Sequence, residues 1–370
     1  MEPIRVLQVV TTMERAGLET MIMNYYRHMD RTRVQFDFLR HRDGVHAYDD
    51  EIKALGGRIY TVPAFNPLNT NGYLDALDAF FRTHKEYSVV HSHLDCLSAV
   101  PLKYAKKYGV PTRIAHSHVC RMTFDLKYPI RMFYRSRIPA VATDLFACSE
   151  DAGKWMFGNR AFTTVYNAID CGAFTYDEAA ARQLRREQGL ENTFVIAHVG
   201  RFDPVKNHGF LLDVFSNIVR HHPDSALLLA GTGNTMDAVK NQAEALGLGG
   251  KVRFLGSVSN VPELLMMADA FVFPSLYEGL GISLIEAQAA GLPCFTALGC
   301  VPEEANVTGQ VNYLPLEDGA SVWAEAILNS RDQLRDRSGN AAILGEQGYD
   351  IATEAHKLQQ FYIQKTMEEP

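Results

Sequence analysis

Residues 270–293, AFVFPSLYEGLGISLIEAQAAGLP, carry the clearest indication of the fold. This stretch begins with a short apolar run, Ala270 to Pro274, which predicts a buried β-strand. A turn containing Gly279 and Gly281 follows, and a helix is predicted from about Ile282. A strand, a glycine-containing turn and a helix in direct succession are typical of an open α/β sheet, in which ligands bind at the carboxyl ends of the strands.

The same alternation of apolar runs and amphipathic segments recurs along the whole chain. Predicted strands lie at 4–10, 34–39, 58–62, 88–91, 112–116, 144–148 and 163–166, and a second set lies at 194–199, 226–230, 252–255, 270–274 and 293–297. Since single cores stop growing near ~250–300 residues, 370 residues predict two domains. We place them at 1–170 and 171–349, with a helix at 350–370 that returns to the first domain.

Composition and charge exclude several classes of protein. The chain is 47% apolar and 21% charged, which is typical of a globular protein, and its net charge of -7 disfavours binding to nucleic acid. The six cysteines form no C-x-x-C pair, as expected of a cytoplasmic protein with reduced thiols. The sequence shows no secretion signal and no apolar run of the ~20 residues needed to span a membrane.

Two cations follow the predicted strand at 194–199. Arg201 and Lys206 occur in the segment GRFDPVKN, directly before a helix that is predicted from about His208. A guanidinium fork, an ammonium group and a helix N-terminus at a strand's carboxyl end all favour phosphate oxygens. These residues therefore predict a diphosphate site, with a solvated turn as the alternative.

Two carboxylates accompany the glycine turn of the opening stretch. Glu278 precedes the predicted helix and Glu286 lies about one turn inside it. Ionised carboxylates repel phosphates but accept hydrogen bonds from hydroxyl groups, which a sugar nucleotide carries at both ends. The alternative is that both acids only complement the helix dipole.

These residues occur in segments that resemble a known family. Glu278, seven further residues and Glu286, within PSLYEGLGISLIEAQAAGLP, resemble the signature of retaining glycosyltransferases of family GT4. Further segments with this resemblance are VGRFDPVKNH, VRFLGSVSNVPELLMMADAFVFPS, VLQVVTTMERAGLET, YSVVHSH and VYNAID. The sequence of these segments is most similar to that of bacterial members that build exopolysaccharide or capsule. The resemblance implies the GT-B fold: two facing, Rossmann-like, doubly wound α/β domains with an interdomain cleft.

The resemblance also implies roles for individual residues. Arg201 and Lys206 would hold the donor diphosphate, Glu286 the ribose hydroxyls and Glu278 the transferred sugar. The diphosphate would also lie beside Gly17, Gly279, Leu280 and Gly281, and the base or nucleotide beside Gly231, Gly233, Val252, Arg253 and Phe254.

A family histidine after the fifth strand approaches the donor sugar, and the segment RIAHSHV offers two candidates for it. Alternation along a strand puts His116 and His118 on the same face, so either could reach the site, and His118 is favoured. With Glu278 they form the predicted catalytic set. His91 and His93 repeat the pattern one strand earlier and are interpreted as structural.

The implied reaction is transfer with retention from a nucleotide-diphosphate sugar, with UDP favoured as the carrier, onto a glycan or lipid-linked saccharide. The sequence contains no Asp-x-Asp motif, so we expect neither a metal nor another cofactor. A sugar-nucleotide epimerase and a non-catalytic subunit with the same architecture are the alternatives. An oxidoreductase is disfavoured because the loop after the first strand lacks G-x-G-x-x-G.

One segment predicts a contact with the acceptor or a membrane. Lys127, Arg131 and Arg135 recur at four-residue spacing among aromatic residues. A basic, aromatic helix can rest on an anionic bilayer, which favours a protein that is cytoplasmic and peripheral to the inner face of the membrane. A solvated helix face is the alternative.

Overall fold

The structure is a computed structural model, and it describes residues 2–119, 126–331 and 337–367. The chain divides into two compact units. The first consists of residues 1–168 and 351–370, and the second of residues 169–350. The described helices include none that is long and apolar enough to cross a membrane.

The first unit is a seven-stranded parallel sheet with helices around it. Its strands are β1 Ile4–Val10, β2 Val34–Arg40, β3 Ile59–Thr61, β4 Val89–Ser92, β5 Thr112–Ser117, β6 Asp144–Ala147 and β7 Thr163–Thr164. Its helices are α1 Gly17–His28, α2 Asp49–Ala54, α3 Asn71–Thr83, α4 Ala99–Lys107, α5 Tyr128–Arg135, α6 Ile138–Val141, α7 Glu150–Phe157 and, from the end of the chain, α15 Ile351–Met367. The strand order is β3-β2-β1-β4-β5-β6-β7, so the direction of winding reverses between β1 and β4.

Both faces of this sheet are covered because strand β1 is apolar on both sides. Val6 and Val10 join one buried cluster, whereas Leu7 and Val9 join the other. Alternation along a strand sends successive side chains to opposite faces. Helix α15 packs against α1 on the first of these faces, where Tyr362 is fully buried.

The second unit is a six-stranded parallel sheet. Its strands are β8 Phe194–Val199, β9 Ser225–Ala230, β10 Val252–Gly256, β11 Ala270–Phe273, β12 Cys294–Ala297 and β13 Val311–Leu314. Its helices are α8 Glu178–Glu187, α9 His208–His221, α10 Met236–Ala245, α11 Val261–Met267, α12 Ile282–Ala289, α13 Gly319–Arg331 and α14 Asn340–Leu344. The order β10-β9-β8-β11-β12-β13 reverses between β8 and β11, which places a ligand-binding switch point at the carboxyl ends of these two neighbouring strands.

Candidate active site

The loops after β8 and β11 meet at the switch point of the second unit. The backbone N–H of Leu276, in the β11 loop, donates to the carbonyl oxygen of Val205, in the β8 loop, over 2.8 Å. This link brings together two segments that are about 70 residues apart in the sequence, and with them the predicted cations and carboxylates.

Lys206 and Glu278 form an ion pair across these loops. The distance from Nζ to Oε1 is 2.6 Å, and the two side chains retain only 16% and 12% exposure. The Lys206 ammonium also lies 4.6 Å from the ring centre of Phe273, in a cation–π contact. A cation and a hydrogen-bond acceptor are thereby fixed next to each other at the carboxyl ends of β8 and β11.

Arg201 occupies a more open position in the same loop. Its side chain is 64% exposed, and its nearest described acid is Asp203, at 3.3 Å. The Asp203 carboxylate also accepts a hydrogen bond from the backbone N–H of Val205. The guanidinium group is therefore accessible to an anion from solvent, whereas Lys206 is held against its carboxylate.

Glu286 differs from Glu278 in being buried without a charged partner. Helix α12 carries it into the protein, where the residue is 9% exposed, and burial raises the pKa of its carboxyl group to about 8. Within residues 2–119, 126–331 and 337–367, no side chain forms an ion pair with this group. A ligand hydroxyl that donates to the ionised carboxylate would compensate for the cost of charging it.

The glycines after β9 let two loops approach each other closely. Gly231 and Gly233 have φ of 142° and 156°, and a Cβ atom on them would lie 2.0 Å from the carbonyl oxygen of Gly200 and 2.2 Å from that of Phe202. Only glycine fits such contacts. The G-x-G pair predicted beside the nucleotide therefore packs against the backbone of the loop that follows β8.

The remaining predicted residues of the second unit surround this core. Gly281, with φ of 81°, caps the N-terminus of α12, and Leu280 is buried, so it can offer a ligand only its backbone. On β10 the side chain of Arg253 donates to the carbonyl oxygen of Gln188, and the ring of Phe254 lies 6.1 Å from that of Phe202.

Two buried histidines on either side of the loop between β8 and α9 were missed by the sequence analysis. His208 stacks on Phe202 at 4.1 Å between ring centres, and His198 lies 4.7 Å from His208. Burial lowers the pKa of both, to about 4 for His208. Both nitrogens of His208 and Nε2 of His198 are buried without a described hydrogen-bond partner. The signal was present in VGRFDPVKNH, where a histidine begins the helix beside the cations.

In the first unit, His116 and His118 lie within a cluster of four histidines. His91 Nε2 lies 3.0 Å from His116 Nδ1, and His93 Nδ1 lies 2.9 Å from His118 Nε2. His116 is buried and His118 is partly exposed. His91 and His93, interpreted as structural from the sequence, are thus the direct partners of the two candidate catalytic histidines.

One nitrogen each of His91, His93 and His116 lie within 4.8 Å of one another, a spacing that raises the question of a metal. Nitrogens on one tetrahedral zinc ion are about 3.3 Å apart, with both rings turned toward the metal. In the His91–His116 pair the ring centres are 5.1 Å apart and the facing nitrogens 3.0 Å apart. In the His93–His118 pair these distances are 5.2 and 2.9 Å. In both pairs the facing nitrogens therefore lie close to the line that joins the ring centres. This is the geometry of direct N–H···N hydrogen bonds within the His91–His116 and His93–His118 pairs.

The other predicted residues of the first unit differ in accessibility. Gly17 begins helix α1 and is exposed. Arg135 points into the protein, where its Nε donates to the carbonyl oxygen of Met156 and its guanidinium lies over the Trp155 ring. Helix α5, which carries Arg131, has no buried residue and borders an open cavity of about 350 Å³. The cavity is lined by Phe65, Pro67, Thr70, Pro129, Ile130, Phe133 and Tyr134.

Comparison with known proteins places these features in a family. The family model described as "Glycosyl transferases group 1" matches residues 181–342. The chain is 37% identical over 368 residues to EpsF of Bacillus subtilis (strain 168), named as a glycosyltransferase, covering 97% of this chain and 96% of EpsF. It is 24% identical over 385 residues to the capsular polysaccharide biosynthesis glycosyltransferase CapH of Staphylococcus aureus, covering 98% and 100% of the two chains.

A solved structure shares the fold. HepE of Anabaena, crystallised in complex with UDP-glucose, superposes with a TM-score of 0.79 at 19% identity, covering 96% of this chain and 98% of HepE. The predicted fold class, GT-B, is thereby confirmed. Since the match to EpsF spans nearly the whole of both proteins, the chain belongs to the group 1 family of glycosyltransferases.

Proposed function

We propose that this glycosyltransferase moves a sugar from UDP to a glycan or lipid-linked saccharide in the synthesis of a bacterial surface polysaccharide, with retention of configuration and without a metal. The name of CapH supports the pathway, and the UDP-glucose complex of HepE supports the donor class. The observation that carries the proposal is the Lys206–Glu278 pair at the switch point, with Arg201 in the same loop as Lys206 and the buried Glu286 in the helix that follows Glu278.

The donor's charged centre matches the cations of this site. Arg201 is exposed, and its planar fork can take two phosphate oxygens, while Lys206 supplies a point charge a few residues further along. The N-terminus of α12 adds backbone donors and a favourable dipole. These fixed donors stabilise the charge that develops on the leaving UDP, which is the task a metal performs in other transferases.

The two carboxylates match the two hydroxyl-bearing ends of the donor. Glu286, buried in α12, accepts from the ribose hydroxyls, and this contact favours its ionised form. Glu278, held by Lys206, accepts from a hydroxyl of the transferred sugar. In this role Glu278 acts as a hydrogen-bond acceptor, and no covalent sugar–enzyme ester is required.

The proposed chemistry is attack from the face that the nucleotide leaves. The bond between the anomeric carbon and the phosphate oxygen breaks, and the acceptor oxygen bonds to that carbon on the same side. The acceptor's proton passes to the leaving phosphate. His118 contacts a sugar hydroxyl, by resemblance to the family, and the protein serves to position the reactants and stabilise charge.

Thermal unfolding with nucleotides tests the donor site. A ligand that binds only the folded protein raises the apparent stability by mass action. We expect UDP to raise the unfolding midpoint in the presence of EDTA, GDP and ADP to raise it less, and Arg201→Ala to reduce the UDP effect. Uridine, which lacks the diphosphate, is the control ligand. A lack of response to all three diphosphates would contradict the proposal.

Turnover tests the reaction class directly. Incubation with UDP-sugar and lipid-linked acceptors in EDTA should yield a product whose new bond keeps the donor's anomeric configuration, read by NMR couplings. Incubation with the UDP-sugar alone should leave its sugar unchanged. An altered sugar in that arm would instead indicate an epimerase.

The proposed lipid-linked acceptor implies contact with the membrane through α5. Lys127 and Arg131 lie beside the apolar cavity, and Leu126 and Phe133 are 99% and 53% exposed. Co-sedimentation with anionic vesicles should weaken when Lys127 and Arg131 are replaced by serine. Arg82→Ser, on α3, is the matched control. Binding that is the same in all three proteins would contradict this contact.

A further inference from the structure

His91, His93, His116 and His118 of the first unit take part in two chains of hydrogen bonds. One chain runs from Gln8 on β1 through His93, after β4, to His118, after β5. The Gln8 Oε1 lies 2.8 Å from His93 Nε2, and His93 Nδ1 lies 2.9 Å from His118 Nε2. These residues line the switch point between β1 and β4, where the sheet reverses its order.

The positions of the protons follow from the chemistry of the groups. Burial lowers the pKa of all four rings, to about 3 for His91 and His118, so each is neutral and carries one N–H. The Gln8 oxygen only accepts, so His93 Nε2 must donate to it. The His93 Nδ1 is then unprotonated and accepts from His118 Nε2–H. The His118 Nδ1 is left with a free lone pair.

The second chain runs from Tyr362 on α15 through His91 to His116. The Tyr362 hydroxyl lies 2.7 Å from His91 Nδ1, and His91 Nε2 lies 3.0 Å from His116 Nδ1. A hydroxyl group both donates and accepts, so Tyr362 is compatible with either direction of these hydrogen bonds. The His116 Nε2 is buried without a described partner. The Gln8 amide therefore sets the direction of the first chain.

The backbone of His118 is fixed by a separate contact. Its N–H donates to Asp95 Oδ1 over 2.8 Å, and Asp95 itself has the unusual φ of 48°. His118 as a whole residue is partly exposed, whereas His91, His93 and His116 are buried. The accessible end of the first chain is therefore an imidazole held at its backbone by Asp95 and at its Nε2 by His93.

We propose that Gln8 is a positioning residue that sets the tautomers of His93 and His118, so that His118 presents an unprotonated Nδ1 as the acceptor for a hydroxyl group of a sugar substrate. This inference rests on the proposed function, in which His118 contacts a sugar. It assigns His118 the task of orienting a sugar hydroxyl as a hydrogen-bond acceptor, and it excludes donation of a proton from His118 to the sugar.

The tautomers can be read without any turnover. Full-length protein carrying 15N-labelled histidine gives long-range 1H–15N spectra in which protonated and unprotonated ring nitrogens differ, and His118→Asn assigns the signal. We expect the Nε2–H form for His118 in the wild type. Gln8→Leu, which removes the acceptor, should give a mixture of tautomers. His41, a buried ring bonded to Val10 and Tyr73, reports whether the fold is intact.

A matched variant separates this effect from general damage to the sheet. Gln35, on the neighbouring strand β2, is also a buried glutamine, and its amide donates to the carbonyl oxygen of Leu55. Gln35→Leu therefore removes one buried hydrogen bond of the same kind outside the cluster. We expect it to leave both the His118 tautomer and kcat/KM unchanged, whereas Gln8→Leu lowers kcat/KM about five- to tenfold, as for the loss of one net hydrogen bond.

A charged replacement adds a test by pH. Gln8→Glu keeps an oxygen that accepts from His93 but adds a carboxylate, which favours the imidazolium form. A protonated chain would place a proton on His118 Nδ1, so the ratio of variant to wild-type kcat/KM should fall from about pH 8 to about pH 6. The titratable groups that face this chain are His91, His116, Tyr362 and Asp95, and both proteins contain them all.

Two results would overturn the inference. One is an Nδ1–H tautomer for His118 in the wild type, and the other is binding of Zn²⁺ or Co²⁺ by the wild type that is lost in His91→Ala. Both can be observed whether or not the protein transfers sugar. Failure of the proposed function would show differently, as absence of turnover in the wild type itself.

Discussion

Replacing Glu286 by glutamine should make the protein more stable at alkaline pH. Burial raises the pKa of this carboxyl group from its ordinary 4.5 to about 8. Between these values the folded protein holds a proton that the unfolded chain has lost. The folded state therefore binds more protons, so the free energy of unfolding falls as pH rises from about 4.5 to about 8, and it stays low above that. Glutamine cannot ionise and should remove this loss.

The size of the effect follows from the two pKa values. At about 1.36 kcal/mol per pH unit, the upper limit is about 5 kcal/mol, and relaxation around the charge reduces it to an expected ~2 kcal/mol. For a unit of this size each kcal/mol moves the unfolding midpoint by about 2–4 °C. Glu286→Gln should therefore unfold about 4–8 °C above the wild type near pH 9 and within ~2 °C of it near pH 5.

Thermal unfolding followed by circular dichroism between about pH 5 and about pH 9 measures this difference. The matched control is Glu263→Gln, which changes an exposed glutamate of the same unit, on helix α11. Parallel curves for the wild type and Glu286→Gln would refute the reasoning, because the buried carboxyl would then titrate equally in the folded and unfolded states. The same substitution should weaken UDP binding, since the amide is a poorer acceptor for the ribose hydroxyls.

Three further substitutions test the phosphate site. Lys206→Met should destabilise the protein by about 1–3 kcal/mol, because Glu278 stays largely buried without its partner. Urea unfolding should show that adding Glu278→Gln recovers part of this loss. If the effects of the two substitutions simply add, the two side chains do not form a stabilising pair. Gly231→Ala should cost at least about 2 kcal/mol, since its Cβ would lie 2.0 Å from the Gly200 oxygen, and an unchanged unfolding midpoint would contradict that close approach. Arg201→Ala should change the free energy of unfolding by less than ~0.5 kcal/mol, because the side chain is largely exposed. In calorimetry it should weaken UDP binding about tenfold and leave uridine binding unaffected. An equal loss of affinity for both ligands would show that the guanidinium does not contact the diphosphate.

Several elements could be predicted closely from the sequence. Helix α12 begins at Ile282 and helix α9 at His208, both as expected, and the first helix runs over Gly17–His28 where Leu18 to Met29 was predicted. Glycine turns and apolar periodicity are local signals, and they act within a few residues of the structure they determine. The predicted domain boundary near Cys171 compares with a division of the chain between Ala168 and Ile169.

The sequence could not show how the predicted side chains pair. Arg135 was grouped with Lys127 and Arg131 by its spacing, but it packs inward on Trp155. His91 and His93 were interpreted as isolated structural residues, but they bond directly to His116 and His118. The spacing of residues along a helix or strand determines which face of that element a side chain occupies. Its hydrogen-bond or packing partner is determined by the other element that covers this face.

The two parallel sheets, the strand-end loops that carry the charges and the family could be predicted from the sequence, because each depends on short-range patterns. The pairing of side chains depends on the folded arrangement: β8 lies beside β11, and this brings Lys206 within 2.6 Å of Glu278 across 72 positions. Folding also buries Glu286, which raises the pKa of its carboxyl group, and it brings the Gln8 amide against His93. Proton affinity and hydrogen-bond direction depend on burial and on neighbours that are distant in the chain, and these exist only once the sheets have formed.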